Sequence, residues 1–197
     1  MHPLHQLINS FSVIGEKEWL QLFGHCKEII IPKGRTFIKE GEKEKRAGFI
    51  MEGSMRQFYT KATGEEITTY FYFENNLVSG YISCITNSPS QITIEALEQT
   101  KIIVFPYSLL SELFDKENSW GRFGRKLSEY LAIGLEERMV SLLMDKPEER
   151  YIKLLNSQNK QKILERIPQQ YIANYLGITP ISLSRIRNRI LKSKKIN

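Results

Sequence analysis

A change in apolar periodicity at Pro106 constrains the fold of this chain more than any other feature. From Lys27 to Pro106 the sequence is a series of short β-rich runs: EIIIPKG, TFIKEG, GFIMEG, MRQFYTKATG, ITTYFYF, ITIEAL and KIIVFP. Glycines stand where these runs end, at Gly34, Gly41, Gly53 and Gly64. Glycine accepts the positive φ of tight turns without a steric cost. The pattern predicts an antiparallel β-roll, preceded by two short helices, LHQLINSF and EKEWLQLFGHC.

After Pro106 apolar residues recur three or four positions apart, which indicates helices. A short helix, SLLSELF, precedes a long one over residues 117–144. The apolar stripe of the long helix consists of Phe123, Leu127, Tyr130 or Leu131, Leu135, Met139 and Leu142. The stripe could simply cover the β-roll. A helix of this length exceeds what cover requires, however, and its coiled-coil-like spacing favours a homodimer formed through residues 117–144. Gly134, in its middle, is tolerated best where two backbones approach closely.

The stretch QQYIANYLGITPISLSRIRNRI, residues 169–190, has the features of two helices joined by a tight turn. Ile172, Ala173 and Leu176 form one apolar face, and Gly177 supplies a left-handed residue in the turn. Thr179 is a natural N-cap, and Pro180 suits the first position of the second helix. Leu183, Ile186 and Ile190 share the inner face of that helix, whereas Ile181, Ser184, Arg185 and Asn188 share the outer face. This pattern is typical of a helix-turn-helix.

Charge divides the chain in the same place. Residues 148–197 contain 11 Lys and Arg against 3 Asp and Glu, a net charge of +8. The whole chain contains 28 against 22, a net charge of +6. Residues 1–147 therefore have a net charge of −2. A neutral body with a basic end indicates a polyanionic partner for that end. A solvated basic tail, such as KSKK at 192–195, is the alternative that charge alone leaves open.

These residues together resemble one family. The sequence is similar to that of the Crp/Fnr family of bacterial transcription regulators. The similar parts are the glycine-punctuated roll with PKGRTFIKEG and GFIMEGSMRQFYTKATGEE, the long helix, PEERYIKLL and the motif YIANYLGITPISLSRIRNRI. The segment ITPISLSRIR is similar to the Bacteroidetes-like type of this family. The resemblance implies an α+β fold: a cyclic-nucleotide-binding-like β-roll sensor (1–116), a long dimerisation helix (117–144) and a C-terminal winged helix-turn-helix (145–197). It implies double-stranded DNA and a second copy as partners, and it allows RNA polymerase as another.

Residue roles follow from groove chemistry and this resemblance. Arg185 can donate two parallel hydrogen bonds to guanine in the major groove. Pro180 and Ile181 have no polar side-chain atoms, so they should contact a thymine methyl group. Phosphate or flanking contacts are expected from Gln169, Gln170, Thr179, Ser182, Ser184, Asn188 and Arg189. Arg187 and the cluster Lys192 to Lys195 should contribute charge only.

The sensor segment SGYISCITNSPSQITIEALE departs from the family pattern. Gly80 is retained, but Tyr81 replaces the expected glutamate, and Ser90 or Gln91 stands where an arginine should neutralise a phosphate. Because a buried phosphate without a cation is costly, cyclic AMP should not bind in the usual way. The pocket of Gly80, Tyr81, Ser90 and Gln91 could hold another small effector, or side chains could fill it. No cofactor is predicted, and two distant cysteines cannot ligate an iron–sulfur cluster.

Other functional classes have less support. The sequence offers no nucleophile and base at a recognisable spacing, no phosphate-binding glycine loop and no metal-ligand cluster, so it predicts a protein that is not an enzyme. It contains no apolar run of roughly 20 residues and no apolar leader, which predicts a cytoplasmic protein without a membrane partner. The alternative is a ligand-binding regulatory subunit whose basic C-terminal corner binds a protein or RNA.

Overall fold

The structure, a computed structural model, describes the backbone of residues 1–194 and the side chains of residues 1–192. The helices are α1 (Pro3–Phe11), α2 (Glu16–Phe23), α3 (Tyr81–Thr86), α4 (Tyr107–Lys116), α5 (Asn118–Met144), α6 (Pro147–Leu155), α7 (Lys160–Arg166), α8 (Gln169–Tyr175) and α9 (Pro180–Lys194). The strands are β1 (Lys27–Ile31), β2 (Thr36–Ile38), β3 (Arg46–Glu52), β4 (Met55–Thr60), β5 (Glu66–Tyr72), β6 (Leu77–Ser79), β7 (Thr93–Ala96) and β8 (Thr100–Pro106).

The strands form two four-stranded antiparallel sheets, in the orders β1-β8-β3-β6 and β2-β7-β4-β5. A continuous apolar core lies between them, with Phe37 and Ile94 from one sheet and Ile50 and Ile102 from the other. The four predicted turn glycines all have positive φ, between 76° and 102°. The predicted antiparallel β-roll with flanking helices is therefore confirmed.

The helices before and after the roll cover the outer face of the first sheet. Leu4, Trp19, Trp120 and Phe123 are buried in one cluster with Phe49 of β3. The first third of α5 is therefore anchored to the roll. The apolar stripe predicted for this helix changes environment along its length, because its later members, such as Leu135 and Met139, are exposed in the single chain.

The sequence reasoning missed two elements. One is the three-residue strand β6. The other is α7, which begins within the polar run NSQNKQK and buries Ile163 against the C-terminal helices. Since residues 160–166 are helical, and residues 145–194 contain no strand, the wing of the expected winged helix-turn-helix is absent from this described part of the chain.

A third apolar cluster joins the roll to the C-terminal helices. It combines Phe71 of β5 and Phe73, directly after that strand, with Tyr151, Ile172 and other residues of α6 to α9. Helix α8 packs directly on β5. Within residues 1–194, no helix combines the length and apolarity needed to cross a membrane.

Candidate nucleic-acid interface and effector pocket

Helices α8 and α9 are joined by the tight turn that the sequence predicts. Gly177 has a φ of 68°, in the left-handed region that favours glycine. Thr179 caps α9, because its Oγ1 accepts a hydrogen bond from the backbone N–H of Ser182 at 3.2 Å. Ala173 is completely buried where the two helices pack, and Leu183 is buried on the inner face of α9. This geometry is that of a helix-turn-helix.

The outer face of α9 and the first turn of α8 are open to solvent. Of the ten residues predicted to contact DNA, Ser182 is half-buried and the other nine are exposed. The exposed residues are Gln169, Gln170, Thr179, Pro180, Ile181, Ser184, Arg185, Asn188 and Arg189. Ile181 is the most unusual of them, since 66% of this apolar residue is exposed. The structure brings Thr179 and Ser182 together, with their hydroxyl groups 3.0 Å apart.

The arginines of α9 differ in their surroundings. The guanidinium of Arg185 makes no hydrogen bond or ion pair with any other residue whose side chain the structure describes. Arg189 lies 3.3 Å from the carboxylate of Glu148 on α6, so part of its charge is already paired. Lys192 is exposed. Lys195, in the predicted basic cluster, lies outside the described residues.

The face of the C-terminal helices opposite to this open surface is docked on the β-roll. Asn174 of α8 accepts a hydrogen bond from the backbone N–H of Thr68 and donates one to the carbonyl oxygen of Glu66 at 2.8 Å. Arg138 of α5 donates to the carbonyl oxygen of Tyr175. Sequence reasoning missed these docking contacts, because no local pattern marks pairs that lie 37 to 108 residues apart.

Arg56 of β4 is central to the docking. Its side chain is almost fully buried, and its guanidinium donates to Glu95 at 2.7 Å and to Glu66. The same group lies 3.9 Å from the ring centroid of Tyr171 on α8, at cation–π distance. Two carboxylates therefore neutralise this buried cation, and an aromatic ring of the helix-turn-helix covers it.

The four residues of the predicted effector pocket differ in how their polar atoms are used. Ser90 is buried, and its hydroxyl both donates to the carbonyl oxygen of Ile92 at 2.9 Å and accepts from its N–H at 3.2 Å. Tyr81 begins α3 and places its hydroxyl 3.4 Å from that of Ser128 on α5. Gln91 is exposed, and Gly80 precedes α3. Ser90 thus contributes to its own loop, and Tyr81 contacts the long helix.

The two cysteines are inert in their surroundings. Burial raises the pKa of Cys26 to about 11, and burial together with the charge of Glu44 does the same for Cys84. Both thiols are therefore protonated at neutral pH. Among the described residues, no group of three or more His, Cys, Asp or Glu side chains could hold a metal ion.

A β-roll, a long connecting helix and an exposed helix-turn-helix together are the architecture of a transcription regulator. Residues 28–117 match the cyclic nucleotide-binding domain family. The fumarate and nitrate reduction regulatory protein of Vibrio cholerae is 25% identical over 175 residues, which are 83% of this chain and 68% of that protein.

Solved structures have the same fold. FixK2 from Bradyrhizobium japonicum superposes with a TM-score of 0.74 at 16% identity, covering 86% of each chain. A regulator of the Crp/Fnr family from Eubacterium rectale superposes with a TM-score of 0.73 at 15% identity, covering 98% of this chain and 89% of the other. In sequence and in fold, the chain is therefore similar to transcription regulators of the Crp/Fnr family.

Proposed function

We propose that the protein binds DNA sequence-specifically as a homodimer on an inverted-repeat operator. The observation that carries this proposal is the open outer face of α9, which presents exposed polar and basic side chains. The inner face of the same helix is buried. An exposed, charged helix on a rigid support fits the major groove of a duplex.

Within this face, Arg185 is the residue proposed to read a base. Its guanidinium has no protein partner among the described side chains and is free to donate to guanine O6 and N7. Pro180 and Ile181, both exposed, are proposed to contact a thymine methyl group. The remaining predicted residues would position the helix through phosphate contacts.

The second half of α5 supports a dimer. Leu135, Met139 and Leu142 lie on one side of this helix and are 46–72% exposed in the single chain. An apolar seam at this spacing is stabilised by packing against a matching helix. A second copy of α5 would place two α9 helices side by side, and binding to successive major grooves requires a separation of roughly 34 Å.

The assembly requires a division of the chain into three functional parts. We propose that residues 1–116 act as the sensor, residues 117–144 as the dimerisation helix and residues 145–197 as the DNA-binding domain. The docking contacts of Arg56, Arg138 and Asn174 connect all three parts, so a change in the sensor could alter the orientation of α9.

The effector is proposed to be a small molecule other than cyclic AMP bound in the usual way. No arginine occupies position 90 or 91, and the hydroxyl of Ser90 is already engaged with Ile92. Titration of the full chain with cyclic AMP, followed by calorimetry, should therefore give no heat that Ser90→Ala removes. Cyclic AMP binding that Ser90→Ala abolishes would contradict this part of the proposal.

DNA binding itself is tested by selecting fragments of the source genome on the purified full chain. We expect enriched fragments to share an inverted repeat, and the affinity for it to fall steeply with salt, with a log–log slope near −0.9 for each phosphate contact. Recovery of fragments without a common sequence would contradict sequence-specific binding. Tighter binding to single-stranded RNA than to the enriched duplex would favour an RNA-binding regulatory subunit instead.

A further inference from the structure

A cavity of about 330 Å³ lies where three parts of the molecule meet, and its lining does not include Tyr81 or the other residues of the predicted effector pocket. Strand β5, the middle of α5 and the C-terminal helices form its walls. Three cations line it: Arg138, Arg150 and Lys153. This volume is within the range of small-molecule sites, roughly 300–1,000 Å³.

The charge of Arg138 is not neutralised by the protein. Its guanidinium is half-buried, donates to the carbonyl oxygen of Tyr175 and lies 3.9 Å from the centroid of the Tyr175 ring. No carboxylate among the described residues forms an ion pair with it. Burial and then the nearby charge of Arg150 lower the pKa of Arg138, the opposite of what a paired arginine experiences.

Arg150 donates hydrogen bonds only to carbonyl oxygens of the described residues, and the nearby carboxylate, that of Asp145, is paired with another cation. Arg150 donates from Nε to the carbonyl oxygen of Leu176 at 2.9 Å and from Nη1 to that of Asp145 at 2.7 Å. The third cation, Lys153, is neutralised by the Asp145 carboxylate at 2.7 Å. Glu137 lines the same cavity, but no ion pair within the described residues joins it to either arginine. Within the described residues, neither of these two neighbouring guanidinium groups forms an ion pair.

Proteins pair partly buried charges, because desolvation without a counter-charge is unfavourable. Guanidinium groups have the fork geometry that matches phosphate oxygens. The remaining wall includes two tyrosine rings, from Tyr70 and Tyr175, beside which a planar group could stack. We propose that this junction cavity binds a small phosphate-bearing molecule, with its phosphate between Arg138 and Arg150.

The site does not depend on DNA binding, so it can be tested without DNA. Thermal unfolding of the full chain is measured in inorganic phosphate and in chloride at equal ionic strength. We expect a saturable rise in Tm, on the order of 5 °C near saturation, because a ligand that binds only the folded state stabilises it. Arg138→Gln should abolish the saturable part. Arg122→Gln, at an exposed position of the same helix, should preserve it.

Phosphate also stabilises proteins non-specifically, and that contribution should remain in both variants. If the rise in Arg138→Gln equals that of the native chain, the site is wrong. Gly134→Glu is a second variant. Gly134 lines the cavity four residues before Arg138 on the same helix, so a carboxylate introduced at position 134 can pair with the Arg138 guanidinium. It should remain folded and lose the saturable rise; retention of the rise in folded Gly134→Glu would also overturn the proposal.

A third arm identifies the chemical class of the ligand. Adenosine monophosphate at the concentration of inorganic phosphate should give a larger rise, because its ring can stack beside Tyr70. The same experiment on Tyr70→Ala should reduce the response to that of inorganic phosphate. An adenosine monophosphate response that is smaller than the phosphate response would contradict the stacking part of the proposal.

Discussion

Arg166 lies 2.7 Å from the carboxylate of Glu74, and this ion pair connects α7 of the C-terminal segment to the turn after β5. Arg166 also binds Glu98, and Lys162 binds Glu74 at 2.9 Å. The ring of Phe73 lies beneath both cations. Together with the Asn174 contacts, this cluster determines how the helix-turn-helix is oriented on the roll.

The cluster predicts a specific loss of stability in acid. Desolvation by itself raises the pKa of Glu74, but the hydrogen bonds from Arg166 and Lys162 outweigh it and lower the pKa from 4.5 to about 2. A carboxylate whose pKa is lower in the folded state stabilises the fold above pH 4.5 and loses that contribution as the pH falls towards 2. Urea unfolding midpoints should therefore fall over this interval.

The matched variants for this prediction are Glu74→Gln and Glu112→Gln. Glu74→Gln should be less stable than the native chain at neutral pH and should show a shallower dependence between pH 4.5 and 2. Glu112 forms only an exposed pair with Lys116 within its own helix, so Glu112→Gln should follow the native curve. Parallel curves for the native chain and Glu74→Gln would show that this carboxylate does not hold the two parts together.

Local chemistry explains why the helix-turn-helix could be predicted from sequence. Gly177, Thr179 and Pro180 each satisfy a backbone requirement within a few residues, and the structure has all three where expected. The β-roll was predicted for the same reason, since its glycines mark turns. A strand of three residues, Leu77–Ser79, has no such signal, because its conformation depends on pairing with β3 some 30 residues earlier.

The docking contacts could not be predicted, because they are non-local. Arg56 could equally have been an exposed strand residue, and only the folded chain brings Glu95 and Tyr171 to it. Helix α7 was missed because its seven residues bury one apolar side chain, Ile163, against partners that are distant in sequence. The junction cavity likewise exists only because α5, β5 and the C-terminal helices meet.

The exposed seam of α5 makes a prediction about assembly. Leu135 is 72% exposed in the single chain, so Leu135→Glu should fold normally. If two copies pair through α5, the substitution removes from each copy the burial of one leucine side chain, worth about 1.5–3 kcal/mol. Each copy must also desolvate a carboxylate to form the interface, so the dimer should dissociate. Sedimentation should then give the 23.0 kDa mass of one chain. Leu20→Glu, at an exposed leucine of α2, should leave the dimer intact, and a dimeric Leu135→Glu would contradict pairing through this seam.

Two glycines should respond in opposite directions to alanine. Gly177 has a φ of 68°, where a side chain costs about 1–2 kcal/mol. An added Cβ would meet only Arg150 Nη2, at 3.8 Å, so the cost is conformational and not steric. Gly134 is helical with nothing within 4 Å of an added Cβ, and Gly134→Ala should stabilise by about 0.5–1 kcal/mol.

The measurement for this pair is urea unfolding of the two variants beside the native chain. Gly177→Asn is a useful third variant, because asparagine tolerates the left-handed region better than alanine and should lose less stability. Equal stability of the native chain and Gly177→Ala would mean that the turn relaxes. A destabilised Gly134→Ala would indicate that a partner backbone approaches this position in the assembled protein.

Arg185 and Arg187 carry the same charge on the same helix, yet their expected contributions to DNA recognition differ. Arg185 is exposed and without a protein partner among the described side chains, whereas Arg187 is half-buried. If Arg185 forms two hydrogen bonds with a guanine, Arg185→Ala should lose about 1–3 kcal/mol of discrimination, or roughly 5- to 150-fold. Arg187→Ala should weaken binding to the operator and to a scrambled duplex by the same factor. The ratio of the two Kd values, measured at one salt concentration, separates these outcomes; an unchanged ratio in Arg185→Ala would assign base reading to another residue of α9.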